Sequence, residues 1–168
     1  MFKTHYFKKL TSTNEKAKEF GSGHVIIADM QTKGRGRLKR IWRSYSGGVY
    51  MSIVLKPEIQ NLNKLTIMAA RAVQRTIKKL GAATKIKFPN DLQYRGKKIC
   101  GILTENIFKN NKIEKMVIGI GVNTNNNVPK SLNYKAVSLK KILKRKVDNR
   151  KIIKQILKEF NLLYKDSI

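Results

Sequence analysis

Four short segments of the chain combine residue types that bind phosphate and carboxylate groups. The first, "QTKGRGRLKRIW" (residues 31–42), holds five Lys or Arg side chains and two glycines. Its guanidinium groups, Arg35 and Arg37, can neutralise an anion while Gly34 and Gly36 let the backbone approach that anion closely. No Gly-Lys-Ser/Thr follows, so this is not a Walker A loop. Two interpretations remain open, a solvated basic loop and a loop that closes over a phosphate group.

The second segment, "KFPND" (residues 87–91), places an amide and a carboxylate directly after a predicted strand. Asn90 and Asp91 at such a strand end can hold Mg²⁺ and hydrogen-bond a ligand. The alternative is a plain turn, because Asn and Asp after Pro89 are common turn residues.

The other two segments, "KKICGIL" (residues 97–103) and "GIGVN" (residues 119–123), put glycine inside an apolar strand. Glycine at such a position often marks the close approach of a ligand or of backbone. Lys98 stands at the start of the first segment, although its neighbour Lys97 leaves the register open by one residue. We interpret Cys100 as a small buried residue and not as a nucleophile.

Strands and helices predicted around these segments position them. Apolar and β-branched runs predict strands at residues 24–29, 47–57, 84–88, 97–108 and 115–123, with turns at "QYRGK" and "FKNNK". Helical spacing predicts helices at residues 14–20, 62–80, 138–145 and 149–164, with Ser138 and Asn149 as N-caps of the last two. Short connections imply antiparallel strand pairing. The fold class is therefore α+β, with a mostly antiparallel sheet and helices packed on one side.

Size and composition suit one compact domain. The chain has 168 residues, of which 41% are hydrophobic, and no run of eighteen apolar residues that could span a membrane. The N-terminus lacks the apolar segment of a secretory signal. The single cysteine cannot form an internal disulfide, which favours a cytoplasmic location. His5 and His24 stand far apart in the sequence without an acidic or cysteine cluster, so we do not expect a zinc site.

The formal net charge of +27 would suit nucleic acid, an anionic membrane or an acidic protein partner. We discount it in part, because Lys, Asn and Ile recur along the whole chain and all three have A/T-rich codons. The lysines are also scattered and do not form one block. Nucleic-acid binding therefore stays an alternative and not the leading interpretation.

Taken together, the motifs resemble the catalytic domain of biotin protein ligases. The matching stretches are "STNEKA", "ADMQTKGRGRLKRIWRSYSGGVYMSIVLKP", "KFPNDLQYRGKKICGILTEN", "VIGIGVNTN" and "AVSLKKIL". The resemblance implies a mixed sheet flanked by helices, similar to class II aminoacyl-tRNA synthetases. It also implies that biotin reacts with ATP to give biotinyl-5′-AMP and pyrophosphate. A lysine of a biotin carboxyl carrier domain then attacks this mixed anhydride and releases AMP.

The resemblance implies a role for each residue that matches the family's motifs. Biotin binding is implied for Ser12, Thr13, Asn14, Gln31, Gly34, Arg35, Lys98 and Gly101. Nucleotide binding is implied for Arg37, Arg40, Trp42, Asn90 and Asn123. A direct part in the reaction is implied for Arg35, Arg37, Lys98 and Asp91, of which Asp91 also holds Mg²⁺. The cations would screen the repulsion between carboxylate and triphosphate, and a closed loop would shield the adenylate from water.

The glycine-rich loop at residues 31–42 departs from the family's pattern. The family commonly continues Arg-Gly-Arg-x-Trp after "GRGR", whereas this chain has Leu38 and Lys39 before Arg40. We expect a single catalytic domain over residues 1–168, without an N-terminal DNA-binding domain or a C-terminal β-barrel domain. The expected partners are thus a carrier domain and, through sheet edges, a second copy of the chain, but neither DNA nor a membrane.

Two alternatives to the ligase remain open. One is a lipoate ligase or octanoyltransferase on the same fold. The other is a module that binds biotin or nucleic acid without catalysis, which the altered loop and the positive charge would both suit.

Overall fold

A seven-stranded mixed sheet forms the centre of the computed structural model, which describes residues 2–56 and 62–167 without the side chains of Lys39 and Leu62. The strands are β1 (Lys3–Leu10), β2 (His24–Gln31), β3 (Val49–Leu55), β4 (Lys85–Lys87), β5 (Asp91–Tyr94), β6 (Lys97–Lys109) and β7 (Lys112–Val122). Their order across the sheet is β1-β2-β3-β7-β6-β5-β4. Pairing is parallel between β1 and β2 and antiparallel elsewhere. The predicted α+β class with a mostly antiparallel mixed sheet is confirmed.

Two tight hairpins hold the strands that carry the site. Asn110 and Asn111 join β6 to β7 with φ values of 48° and 59°, and Arg95 and Gly96 join β5 to β6 with φ values of 47° and 78°. Two consecutive residues with positive φ form the turn whose twist matches that of antiparallel strands. Both predicted turns are therefore present, and they fix the register in which β5, β6 and β7 face one another.

One face of the sheet is covered by the two long helices, α2 (Leu62–Lys79) and α4 (Asn149–Lys165). Alternate residues of β2, β3, β6 and β7 point to this side and pack with apolar residues of the helices in the main core. Glu159 is buried between the helices and accepts hydrogen bonds from Lys79 and Gln155 at 2.6 and 2.8 Å. None of the helices in the described residues combines the length and the apolar character that crossing a membrane requires.

The opposite face carries the short helix α1 (Thr13–Ala17), so the helices do not all lie on one side as predicted. Ala17 packs there in a smaller apolar cluster with Ile26, Val54 and Val117. Because α1 covers only one end of this face, a cavity remains above β6 and β7. The prediction failed because a five-residue helix carries too few apolar positions to show which face it covers.

The sequence prediction missed the four-residue β5 and also β1. The residues of β1 are exposed or half-buried, and β2 is its only neighbour among the described strands, so β1 lacks the apolar run that identifies a buried strand. The parallel pairing also brings the two histidines together, with His5 Nε2 lying 3.2 Å from His24 Nδ1. Their distance along the sequence was therefore a poor guide to their separation in the fold.

Several predicted boundaries also change. The N-cap of α4 is Asp148, whose carboxylate accepts from the backbone N–H of Lys151, whereas Asn149 donates to the carbonyls of Gly47 and Gly48. Ser138 does occupy the predicted N-cap position of the short helix α3 (Leu139–Leu143), although its side chain makes no capping bond. Pro57, the last residue of the predicted third-strand segment, lies outside the described residues.

Candidate active site

A cavity of about 590 Å³ opens on the face of the sheet that carries α1. Its walls come from the loop between β2 and β3, from β5, β6 and β7, and from the segment between β7 and α3. The predicted site residues that line it are Ser12, Thr13, Asn14, Gln31, Arg35, Arg37, Arg40, Trp42, Asn90, Asp91, Lys98, Gly101 and Asn123. Gly34 lies behind the wall, where a Cβ would come within 2.6 Å of Ser44 Oγ. The predicted residues converge on one cavity, while their individual roles remain predictions.

One end of the cavity consists of neutral hydrogen-bonding groups. The backbone N–H of Thr13 donates to Oε1 of Gln31 at 2.7 Å, which determines the direction of the Gln31 amide because a backbone N–H can only donate. The Nε2 of Gln31 donates to Ser44 Oγ at 2.7 Å, and Ser44 donates to the carbonyl of Trp42 at 3.2 Å. This chain of bonds connects α1, β2 and the glycine-rich loop. An uncharged polar ligand group fits such an end.

Asn14 is the most constrained side chain at this end. It is buried, its Oδ1 lies 2.6 Å from Ser52 Oγ, and its Nδ2 donates to Glu105 Oε2 at 2.6 Å. A third contact runs from Nδ2 to the carbonyl of Leu103 at 3.3 Å. Space for this amide comes from Gly119 of β7, where a Cβ would lie 2.9 Å from Asn14 Cγ. Asn14 therefore joins α1 to the sheet and faces the cavity from a fixed position.

The floor of the cavity is made by β6 and β7 with the indole of Trp42 lying on it. A Cβ on Gly101 would be 3.0 Å from the indole, and a Cβ on Gly121 would be 2.5 Å from its Nε1. That nitrogen is buried and has no acceptor among the described residues. The glycine inside each strand therefore gives space to Trp42, and a ligand ring that approached Gly101 would contact the indole directly.

Lys98 and Asp91 form an ion pair above this floor. The ammonium group lies 2.8 Å from Asp91 Oδ1 and 5.3 Å from the centre of the Trp42 ring. Lys97 instead donates to the carbonyl of Asn133 at 2.6 Å and does not line the cavity. The structure thereby settles the register that the sequence left open, because only Lys98 of the two lysines faces the cavity.

The arginines of the glycine-rich loop reach the cavity from its rim. Arg35 pairs with Glu15 and, at 3.3 Å, with Glu105. Arg37 Nη1 lies 3.2 Å from Asn90 Oδ1, and the Nδ2 of Asn90 donates to a carbonyl of β6 at 3.0 Å. Each guanidinium group uses only part of its five N–H donors in these contacts. Donors therefore remain for an anionic ligand.

Positive charge dominates the cavity. Its cationic lining residues are Arg35, Arg37, Arg40, Arg43, Lys98 and Lys135, and the one carboxylate among its described lining residues is Asp91. Mg²⁺ is commonly bound by one or two carboxylates together with substrate phosphates, so Asp91 fits the expected ion as a single protein ligand. Within residues 2–56 and 62–167 no group of three or more His, Cys, Asp or Glu could hold a metal by itself.

Sequence reasoning missed part of the lining. Arg43 follows Trp42 directly but lies outside the "GRGR" pattern, and Lys135 and Asn126 belong to the segment after β7. Lys135 is brought to the site by backbone pairing, because its carbonyl accepts from the N–H of Lys98 at 2.8 Å. No spacing in the sequence indicates that contact. Asn126 donates to Asn123 Oδ1 at 3.0 Å, and only the repeated asparagines of "NTNNN" could have suggested it.

Cys100 lies on β6 beside the site and faces the main core. It is fully buried, and burial raises the pKa of its thiol well above the ordinary value, so the group stays protonated at neutral pH. It has the environment of a small apolar residue, as interpreted from the sequence.

The two ends of the cavity suit one elongated ligand with different chemical groups. The neutral end offers amide and hydroxyl groups in fixed directions, and the cationic end offers guanidinium and ammonium groups. Two anions that repel each other in water can approach each other at such a cationic end, because the protein's positive charge offsets their repulsion. The arrangement is therefore suited to joining a carboxylate to a phosphate.

Comparison with known proteins agrees with the fold. Residues 5–123 match the biotin/lipoate A/B protein ligase family. The "Bifunctional ligase/repressor BirA" of Bacillus subtilis (strain 168) is 40% identical over 96% of this chain and 53% of its own length. A solved structure titled "Biotin protein ligase from Aquifex aeolicus in complex with biotin and ATP" has a TM-score of 0.89 and 32% identity, covering 97% of this chain and 70% of that chain.

The lipoate ligases share the fold. The bi-partite lipoate protein ligase of Thermoplasma acidophilum, whose structure was solved in a study of an archaeal lipoylation system, has a TM-score of 0.67 and 11% identity, covering 98% of this chain and 84% of that chain. The fold therefore places the chain among the ligases that are built on this mixed sheet. The chain belongs to the biotin/lipoate A/B protein ligase family. It spans about half the length of the curated Bacillus relative.

Proposed function

We propose that this chain activates biotin with ATP and transfers it to a lysine of a biotin carboxyl carrier domain. The observation that carries the proposal is the division of one cavity into a neutral hydrogen-bonding end and a cationic end. Biotin has a neutral ureido ring system and an anionic carboxylate, and ATP adds a polyanion. The names of the relatives, with biotin and ATP in the Aquifex aeolicus title, support the same substrates.

In this proposal the neutral end binds the ring system of biotin. Ser12, Thr13 and Gln31 would bind the ureido group, while Asn14 holds the segment in place through its bonds to Ser52 and Glu105. Hydrogen bonds within the protein fix the directions of Thr13 and Gln31, so little ordering of these two side chains is left for the ligand to induce.

The cationic end brings the two anions together. Lys98 would contact the biotin carboxylate and the α-phosphate, and Arg35 and Arg37 would neutralise the remaining phosphate charge. A carboxylate oxygen attacks the α-phosphorus while the bond to pyrophosphate breaks. Asn90, Asn123, Arg40 and Trp42 are proposed to bind the nucleotide. Asp91 would hold Mg²⁺, which when bound would neutralise phosphate charge further.

The loop at residues 31–42 would then protect the product. Biotinyl-5′-AMP is a mixed anhydride that water hydrolyses, so a closed loop lengthens its lifetime. In the second step the amine nitrogen of the carrier lysine attacks the acyl carbon and AMP leaves. The positive charge of this chain would speed its encounter with an acidic carrier. Raising salt should therefore slow transfer more than adenylate formation, and equal effects on both steps would contradict this part.

A second copy of the chain is a further proposed partner. The strands at the two ends of the described sheet are β1 and β4, whose outer edges have no neighbouring strand there. Such edges permit pairing between sheets. Light scattering over a range of protein concentrations would test for a dimer, and a constant monomer mass at high concentration would exclude one.

The main test incubates the chain with biotin, ATP, Mg²⁺ and a carrier domain that bears its acceptor lysine. The carrier's intact mass and biotinyl-AMP are measured in the same mixture. We expect biotinylated carrier, with a loss of about 10²–10³-fold in rate for Lys98→Ala and Arg35→Ala, which is typical when a group that stabilises the transition state is removed. Lys97→Ala is the matched control, because that neighbouring ammonium binds a carbonyl outside the cavity.

Other outcomes separate the alternatives. Modification of a lipoyl domain with lipoate in place of biotin would favour the lipoate enzyme on this fold. Biotin binding without adenylate would favour a non-catalytic module. Tight RNA binding with a steep salt dependence, again without adenylate, would favour the nucleic-acid module.

A further inference from the structure

Glu105 lies just outside the cavity and connects its two ends. Its side chain lies on the face of the sheet that carries α1, and its backbone pairs with Val117 of β7 within the long β6–β7 hairpin. It does not line the cavity, and its side chain is 26% exposed. The resemblance that identified the other site residues gave it no role.

The two oxygens of its carboxylate have different partners. Oε2 accepts from Asn14 Nδ2 at 2.6 Å, and Oε1 lies 3.3 Å from Arg35 Nη2. The first partner belongs to the neutral end and is fixed by Ser52, whose hydroxyl lies 2.6 Å from Asn14 Oδ1. Because Asn14 holds one oxygen, the direction of the other oxygen is set as well. The neutral end of the cavity thereby determines where Arg35 docks.

Glu15 is the other carboxylate beside Arg35, and it is a less constrained partner. It is more exposed than Glu105, and it also accepts from Lys18 at 2.9 Å. Its position on the five-residue helix α1 is also less rigid than a place within a long paired strand. Of the two, Glu105 therefore has the geometry to fix the loop.

We propose that Glu105 is a positioning residue, which docks Arg35 over the bound adenylate. It thereby couples closure of the glycine-rich loop to the neutral end of the cavity, where Asn14 lies. The proposal rests on the proposed function. Arg35 contacts both carboxylates through Nη2, so its other N–H donors remain available for phosphate oxygens of the ligand. The carboxylate thus orients the guanidinium without replacing the ligand.

Two substitutions separate the two contacts. A glutamine at position 105 has one carbonyl oxygen, which can keep the bond from Asn14, but its NH₂ group then faces Arg35, where two donors cannot pair. An alanine loses both contacts. We therefore expect Glu105→Gln to weaken loop docking alone, and Glu105→Ala to weaken loop docking and biotin binding together.

The experiment measures three quantities for each variant. They are the biotin dissociation constant by calorimetry, the release rate of radiolabelled biotinyl-AMP, and hydrogen exchange of the loop peptide in ligand-free protein. The variants are E105Q, E105A, R35A and the double variant E105Q/R35A. The matched control is E114Q, because Glu114 is exposed on β7 and pairs with none of the described residues.

For E105Q we expect adenylate release and loop exchange about two- to five-fold faster, the upper part of the range for a partly exposed ion pair, with biotin affinity unchanged. Adding E105Q to R35A should change adenylate release and loop exchange little, because the arginine that docks on Glu105 is already absent. Release as slow as in the wild type, or an equal effect of E105Q with and without Arg35, would overturn the proposal.

Failure of the proposed function would look different. A wild-type chain that neither binds biotin nor forms adenylate would refute the function. Loop exchange in the ligand-free protein would still test the docking, because the Arg35–Glu105 contact exists without ligand. Unchanged loop exchange in E105Q would then contradict the inference on its own.

Discussion

Replacing Gly119 by alanine should damage the neutral end of the site and the stability of the protein together. The new Cβ would lie 2.9 Å from Asn14 Cγ and 3.0 Å from its Nδ2, closer than a carbon atom tolerates. Backbone pairing with β3 and β6 holds Gly119 in place, so the side chain of Asn14 must move. Its contacts with Ser52 and Glu105 would then lengthen or break.

The expected cost follows from those contacts. Overpacking of a well-packed site typically costs about 1–3 kcal/mol, and leaving a buried polar group unsatisfied costs a similar amount. We therefore expect a loss of about 2 kcal/mol in the free energy of unfolding. For a chain of this size, about 2 kcal/mol lowers Tm by about 4–8 °C. Biotin affinity should fall by about ten-fold or more, because Asn14 would no longer hold its segment against the sheet.

The assay combines thermal unfolding with biotin calorimetry, and two variants control it. Gly21→Ala is the matched substitution, because nothing lies within 4 Å of a Cβ there, and it should change stability by less than about 0.5 kcal/mol. In an Asn14→Ala background the obstacle is absent, so Gly119→Ala should cost little more. A penalty of the same size in that background, or an unchanged Tm in the single variant, would refute the reasoning.

Three further predictions follow from single side chains. Glu159→Gln should lower the free energy of unfolding by about 1–2 kcal/mol at pH 7. Hydrogen bonding from Lys79 lowers the pKa of the Glu159 carboxyl, so the ionised carboxylate stabilises the fold at pH values above its ordinary pKa of 4.5. Urea unfolding should show that the difference in free energy of unfolding between the wild type and this variant shrinks as the pH falls below 4.5. A difference that stays constant with pH would contradict a role for the ionised carboxylate. Leu38 has a φ of 55°, a backbone conformation that asparagine adopts easily and a β-branched residue avoids. Leu38→Asn should therefore stabilise the loop and slow tryptic cleavage within residues 33–42, and Leu38→Val should destabilise the loop and accelerate this cleavage. Cys100 should resist iodoacetamide at pH 8 until urea unfolds the chain, because burial keeps its thiol protonated, and rapid labelling of folded protein would show that the strand opens.

Much of the sheet could be predicted because its inner strands are nearly continuous apolar runs. In β3 every residue is buried, and β7 is buried from Met116 to Ile120, so the composition of these segments alone identifies them. The paired asparagines between β6 and β7 and the Arg-Gly pair before β6 are typical turn residues. β1 was missed for the opposite reason, because an exposed end strand has no need of apolar residues.

The cavity residues could be located in the sequence, but their contacts could not. Lys98 and Asp91 stand seven positions apart in the chain, and the turn between β5 and β6 brings them to 2.8 Å. The spacing alone did not decide between Lys97 and Lys98. Glu105 was overlooked because its partners, Asn14 and Arg35, are remote in sequence and meet it only through packing.

The two ends of the site also differ in how they are stabilised. The neutral end relies on short hydrogen bonds between buried and partly buried groups and on a glycine that leaves space for one amide, so its geometry exists before any ligand arrives. The cationic end relies on long, partly exposed side chains, whose ion pairs in water contribute little each. Such an end needs an anchor on the rigid part of the fold if it is to close in one position. Because Glu105 is bound to the neutral end by one oxygen and to the cationic loop by the other, it is the residue through which rigidity at one end can reach the other.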